Sequence, residues 1–287
     1  MLGAHQLGIY EKAMPPELTW MDRMCAAEAL GFDFVEISID ESDDRLARLD
    51  LDPRIKRELH SAVDKTGVQL TSMCLSAHRR FPFGSADPLI RAQAATIMKK
   101  ALEFAKEFGI RVIQLAGYDV YYEEKNDKSA YYFEEGITEA CHMAEQAQIM
   151  LAVETMDTEF MNDMSKAMGL ISRIRSPWFT VYPDIGNLSA WRGDAAGELK
   201  KGQNRIVGVH LKDTIAVSES CTGVFRNVPF GSGCVDFKAC FAQLEKQGYR
   251  GPYLVEMWYS GNCGWREEIS RVQVFLRDQF EAAEAAK

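Results

Sequence analysis

This chain of 287 residues has no CxxC pair, no basic excess, no glycine-rich dinucleotide fingerprint and no long apolar run. Its seven cysteines (Cys25, Cys74, Cys141, Cys221, Cys234, Cys240 and Cys263) are odd in number and stand singly. That argues against a disulfide framework or a cysteine-ligated zinc ribbon. They read as reduced thiols of a cytoplasmic protein, with Cys74 and Cys141 serving as small core residues. A net charge of -9 argues against a general nucleic-acid surface, because phosphate backbones are gripped by basic groups. No stretch approaches the roughly 20 apolar residues of a membrane span. The opening MLGAHQLGIYEKAM lacks a basic segment followed by an apolar core, so no signal peptide is expected.

What is present is a full complement of core residues, 47% of the chain, arranged in alternating strands and helices. Strands are expected at Gln6–Tyr10, Phe32–Ile39, Gln69–Ser76, Arg111–Ala116, Ile149–Glu154, Phe179–Asp184, Ile206–Lys212 and Tyr253–Met257. Between them lie helical stretches, among them Pro53–Thr66 opened by Asp52-Pro53 and a long one from Pro88 to Phe108. Gly31, Gly67, Gly109 and Gly248 each stop a helix just before a strand. Eight strands without a Pro/Ser-rich linker predict an α/β fold, a single (β/α)₈ TIM barrel spanning 1–287. The alternative, a doubly wound open sheet, is weakened by the missing GxGxxG after the first strand.

Four residues stand out because each closes one of the apolar runs. They are Glu154 in MLAVETMD, Asp184 in FTVYPDIGN, His210 in VGVHLKD and Glu256 in PYLVEMW. In a barrel, the C-terminal ends of strands converge on one mouth, and these residues fall on the fifth to eighth strands. One strand-end acid or histidine is ordinarily a loop cap. Three carboxylates and an imidazole sharing one quadrant would repel unless a divalent cation joined them, so the set predicts one metal ion. Zn²⁺, Mn²⁺, Co²⁺ and Mg²⁺ all remain compatible with these ligands.

The segments LAVETMD, YPDIGNLSAW, VHLKDT, NVPFGSGCVDF and GPYLVEMW resemble the xylose-isomerase-like barrel superfamily. Together with GFDFVEISIDESDDRLARLD and SAHRRFPFGS, they are similar to its pentulose-5-phosphate 3-epimerases of L-ascorbate and related sugar-acid catabolism. The similarity covers nearly the whole chain and departs at IAVSESCTG, which lengthens the loop after HLKDT. The resemblance implies epimerisation of L-ribulose 5-phosphate and L-xylulose 5-phosphate at C3 by a homodimer or larger homo-oligomer. It also implies that Glu154, Asp184, His210 and Glu256 hold the metal, with Glu154 and Glu256 doubling as the acid/base pair.

That chemistry is coherent. The C3 proton lies next to the C2 ketone, its removal gives an enediolate, and inversion requires one group on each face. The substrate's phosphate needs a site of its own, for which barrels often use the loops after strands seven and eight. Lys212, Arg226, Gly231 and Gly233 are the candidates there, beside Ser260-Gly261-Asn262 at a helix start. His78, Arg79, Asn187 and Trp258 are candidate sugar contacts, against the plainer alternatives of ion pairs, caps and packing. An aldose–ketose isomerase or a free-ketose 3-epimerase would use the same barrel and ligands. A metal-dependent nuclease is disfavoured by five histidines and the acidic balance. A non-catalytic sugar-phosphate-binding protein would have no need for two opposed glutamates.

Overall fold

The computed structural model of the chain describes residues 1–286. Among them, eight parallel strands form one sheet: β1 (Leu7–Tyr10), β2 (Phe34–Ile39), β3 (Gln69–Leu75), β4 (Val112–Leu115), β5 (Met150–Glu154), β6 (Phe179–Tyr182), β7 (Val209–Leu211) and β8 (Tyr253–Val255). Helices α1 (Trp20–Ala29), α2 (Asp43–Leu46), α3 (Pro53–Thr66), α4 (Pro88–Phe108) and α5 (Ser129–Ala147) alternate with the first five strands. Then come α6 (Met164–Ile174), α7 (Ile185–Arg192), α8 (Ala195–Lys201), α9 (Phe237–Lys246) and α10 (Trp265–Glu284). The eight-strand barrel expected from the sequence is therefore present.

Ladder pairing runs β6–β5–β4–β3–β2–β1–β8–β7. The circle closes between β6 and β7 through two isolated parallel bridges, Val181 with Ile206 and Asp184 with His210. At this seam His210 N–H donates to Pro183 O at 3.0 Å and Val207 N–H to Val181 O at 3.2 Å. Gly208 sits between those bonds, and a Cβ there would lie 2.5 Å from the Tyr182 ring. The missing side chain admits the tyrosine, at the expense of a regular ladder, and β7 is shorter than its apolar run suggests.

Each strand has two buried faces, which explains why the strands read as continuous apolar runs. Val35, Ile37 and Ile39 pack into the main core, whereas Phe34 groups with Tyr10, Cys74 and Leu254 in a small separate cluster. Glu36 and Ser38 share the parity of Phe34 and so face the same way.

Helix ends follow local chemistry. Asp52 and Asp87 cap α3 and α4, with proline in the first turn of each. Gly31, Gly67, Gly109 and Gly248 all adopt positive φ, between 71° and 77°. Helices α5 and α6 end without glycine, on Gln148 and Arg175 at φ 57° and 55°. Helix α7, which no feature of the sequence marks, begins directly after Asp184. Residues Ile185 to Ala190 are all buried, so the segment has no polar face and no amphipathic period to reveal it.

At the mouth, Glu11 follows β1 and is fully buried. Arg45 and Arg48 each reach its Oε1 at 2.5 Å, and Ser38 N–H donates to the same oxygen at 2.5 Å. Burial alone would raise this carboxyl, but Arg48, Arg45 and Arg23 outweigh it and hold its pKa below the ordinary value. The network ties the segment after β2 to the end of β1.

Candidate active site

Glu154 is the last residue of β5, Asp184 the N-cap of α7, His210 the middle of β7, and Glu256 follows β8. The barrel brings the four together. One ligand-type atom from each lies within 4.8 Å of the others, and all four residues are buried. Asp184 does two jobs. Asp184 Oδ1 accepts the Asn187 N–H at 2.9 Å, as a helix cap should, while its Oδ2 stands 2.7 Å from Lys212 Nζ. The capping role and the cluster role thus use different oxygens.

His210 spans the site. Its Nδ1 is 2.9 Å from Glu154 Oε1 and 4.0 Å from Glu256 Oε2. Its Nε2 is 3.1 Å from Oε1 of Glu36, a fully buried acid of β2. Gln114 on β4 donates through Nε2 to Glu154 Oε2. Lys212 Nζ reaches Glu256 Oε2 at 2.9 Å as well as Asp184.

The charges of the two glutamates diverge. Burial raises the Glu154 pKa, and repulsion from Glu256 adds to that against the pull of His210 and Lys212. Burial would raise Glu256 too, but Lys212 and His210 outweigh it and hold it down at about 2. Asp184 is pushed up to about 7 by burial, against Lys212 and with the repulsion of the neighbouring glutamates. Burial disfavours charge on His210, yet Glu36 and Glu154 move its pKa well above the ordinary imidazole value. Four buried carboxyl groups crowd one ammonium and one imidazole, and one ligand-type atom from each of Glu154, Asp184, His210 and Glu256 converges within 4.8 Å. A divalent cation fits that donor set of hard oxygens and a single nitrogen.

The remaining candidates divide. Arg226 and Trp258 line a cleft of about 880 Å³ that reaches down to Lys212 and Glu256, with the Arg226 guanidinium 5.2 Å over the Trp258 ring. Lys212, expected at the phosphate, is instead engaged by the cluster carboxylates. The N–H groups of Gly231 and Gly233 already have an anion: both donate at 2.9 Å to Oδ2 of Asp213. Thr214 and Val235 N–H donate to Oδ1 of the same residue, so Asp213 gathers the whole loop. Asn187 donates through Nδ2 to Thr155 O at 2.8 Å and ties β5 to α7. His78 is buried against Phe83, its Nε2 3.2 Å from Ala94 O, and burial lowers its pKa to about 4. Arg79 lies over the rings of Tyr118 and Tyr121, 5.4 Å from each. The IAVSESCTG segment forms a small hairpin, with Ile215 bridging Val224 and Ser218 bridging Cys221, tied to α7 by Val217 N–H to Ala190 O.

Sequence reasoning passed over Glu36, Gln114 and the cleft's Arg271. A signal for the first two exists in the interruption of an apolar strand by polar residues, as in FVEISI and VIQL.

Fold and site together define a parallel α/β barrel with a buried cluster of three acids and a histidine at its mouth, able to hold a metal ion. The family model described as "Xylose isomerase-like TIM barrel" matches residues 25–279. L-ribulose-5-phosphate 3-epimerase UlaE of Salmonella paratyphi C is 56% identical over 277 residues, covering 96% of this chain and 95% of that protein. The protein of the same name from Salmonella typhimurium gives the same identity and coverage. Among solved structures, an L-ribulose 3-epimerase superposes with TM-score 0.77 at 16% identity, covering 98% of this chain and 96% of that one. The 3-keto-D-glucoside 4-epimerase YcjR from E. coli gives 0.74 at 17% identity, with 94% and 99% covered. The chain belongs to the xylose isomerase-like TIM-barrel family and, within it, to the L-ribulose-5-phosphate 3-epimerases, a family of isomerases.

Proposed function

We propose that this chain is a divalent-metal-dependent 3-epimerase that interconverts L-ribulose 5-phosphate and L-xylulose 5-phosphate. The observation that carries the reading is geometric: Glu154 and Glu256 are two buried carboxyls of one cluster whose ligand-type atoms, with those of Asp184 and His210, lie within 4.8 Å of one another at the barrel mouth. Inversion at C3 needs that arrangement, a base to take the proton from one face and an acid to return one to the other.

Lys212, 2.9 Å from Glu256 Oε2, favours the ionised form of Glu256, and the two glutamates would alternate as base and acid with the direction of reaction. Gln114 orients the Glu154 carboxyl through its Oε2. After one inversion the two glutamates have exchanged charge, which suits the reverse substrate. Glu154, Asp184, His210 and Glu256 would hold the cation, whose chemistry is Lewis-acid stabilisation of negative charge on the substrate oxygens. Trp258 and Arg226 border the approach to Glu256 and are assigned to the sugar phosphate. Arg79, His78 and Asn187 are each held by protein partners and are assigned to supporting the segments that follow β3 and β6. A role in L-ascorbate catabolism, a cytoplasmic location and a homodimeric assembly belong to the same proposal and rest on the sequence resemblance. Among the described residues, no helix is long and apolar enough to cross a membrane.

The test is an assay of L-xylulose 5-phosphate epimerisation with protein stripped by chelator and then reloaded with Zn²⁺, Mn²⁺, Co²⁺ or Mg²⁺. Activity lost on stripping and restored by at least one ion supports the proposal. Full activity in the stripped protein removes the metal. Inactivity with every ion on this substrate, alongside turnover of a free ketose or an aldose phosphate, moves the assignment to the corresponding epimerase or isomerase.

A further inference from the structure

Glu36 has no part in the mechanism above, yet it is an acid with no exposed surface inside the barrel. It sits in mid-β2, in register with Tyr10 of β1 and Ser72 of β3, and is fully buried. A carboxylate taken out of water is penalised by several kcal/mol unless it is paired. Its Oε1 faces His210 Nε2 at 3.1 Å, and its Oε2 has no hydrogen-bond partner among the described residues. The opposite ring nitrogen, Nδ1, faces Glu154 and Glu256. The imidazole is also braced from the side by the Tyr182 ring, with centroids 4.7 Å apart. One nitrogen of the ring therefore belongs to the four-residue cluster and the other to Glu36. Gln114 stands behind Glu154 in the same way, its amide donating to the oxygen that does not face His210.

We propose that Glu36 is a positioning residue for the metal centre: by accepting the Nε2–H of His210 it selects the tautomer whose Nδ1 lone pair points into the cluster. This inference rests on the reading of the cluster as a metal site. A neutral imidazole carries one proton on either nitrogen, and the hydrogen bond made by one decides what the other can ligate. With Glu36 fixed inside the barrel, the ring cannot turn to present Nε2 without burying an unpaired carboxylate. Removing such a partner typically lowers metal affinity by about 10–100-fold.

The experiment compares wild-type protein, Glu36→Leu and Glu36→Gln. Zn²⁺ stoichiometry and affinity are measured by competition with a chromophoric chelator. Long-range ¹H–¹⁵N correlations of His210 are recorded on the zinc-loaded forms, and thermal unfolding is followed for each. The expected wild type binds one equivalent and shows a protonated Nε2 and a ligating Nδ1. Glu36→Leu loses about 10–100-fold in affinity without a fall in unfolding midpoint. Glu36→Gln recovers most of that loss, because its amide oxygen accepts the same hydrogen. Zinc bound as tightly by Glu36→Leu as by wild type, or a loaded wild type with its proton on Nδ1, overturns the positioning role and leaves the metal site standing. Wild-type protein that takes up no Zn²⁺ overturns the metal reading and this inference with it. Should Glu36→Leu fail to fold, the wild-type tautomer and the glutamine variant still decide the question.

Discussion

In the proposed mechanism Glu256 and Glu154 carry the chemistry as individual side chains, and the account predicts that neither tolerates amide replacement. Glu256→Gln and Glu154→Gln should each lower kcat by about 10²–10⁴-fold, the usual worth of a positioned acid or base, in steady-state assays of ketose phosphate epimerisation. A loss below tenfold in either variant would remove that residue from proton transfer. His78 is predicted to matter for stability instead. Its pKa falls from 6.5 to about 4 on burial, so the unfolded chain binds its proton first as pH drops. The native state is therefore fully stabilised by this group above pH 6.5 and loses that contribution between pH 6.5 and 4. The loss amounts to about 3 kcal/mol, taking 1.36 kcal/mol per pKa unit. His78→Gln should flatten urea-unfolding stability across that window, and an unchanged slope would contradict the assignment. The strand-end residues were legible because four polar groups closing four apolar runs is a pattern in the sequence itself. Glu36 and Gln114 were hidden because a polar residue within a strand declares its purpose only when the sheet curls and supplies its partner.

At the scale of elements, loops and helix ends divide into those the sequence marks and those it does not. Gly109 is marked: it closes α4 at φ 71°, and a Cβ there would meet nothing within 4 Å. Gly109→Ala should therefore destabilise by backbone strain alone, about 1 kcal/mol once the stiffer unfolded chain is counted, as a shift in denaturation midpoint. The loop after β7 is unmarked. NVPFGSG reads as an anion-binding turn, and in the folded chain the anion is the carboxylate of Asp213. Asp213→Ala leaves the N–H groups of Thr214, Gly231, Gly233 and Val235 without their acceptor. The expected result is local loosening by about 3 kcal/mol, at the upper range for bonds to a charged acceptor, seen as faster proteolysis between residues 214 and 235 and a higher KM. Unaltered proteolysis and KM would show that the loop is held by other contacts. Helix α7 escaped the sequence reading for a related reason, since an element buried on all sides carries no periodic signature.

For the molecule as a whole, eight strands, their order and the convergence of residues 154, 184, 210 and 256 on one mouth followed from apolar runs and their terminators. The closing seam did not, because it depends on Gly208 making room for Tyr182 and on two bridges no local pattern announces. The result is a barrel that gathers its carboxylates around one imidazole and one ammonium at the end where strands β5 to β8 stop. Its central claim concerns the proton on C3. The direct measurement is proton NMR of L-xylulose 5-phosphate in D₂O with metal-loaded protein. The account predicts loss of the C3 proton signal together with appearance of the C3 epimer, both abolished in Glu256→Gln. Exchange confined to C1, or no exchange with any of the divalent ions, would contradict it.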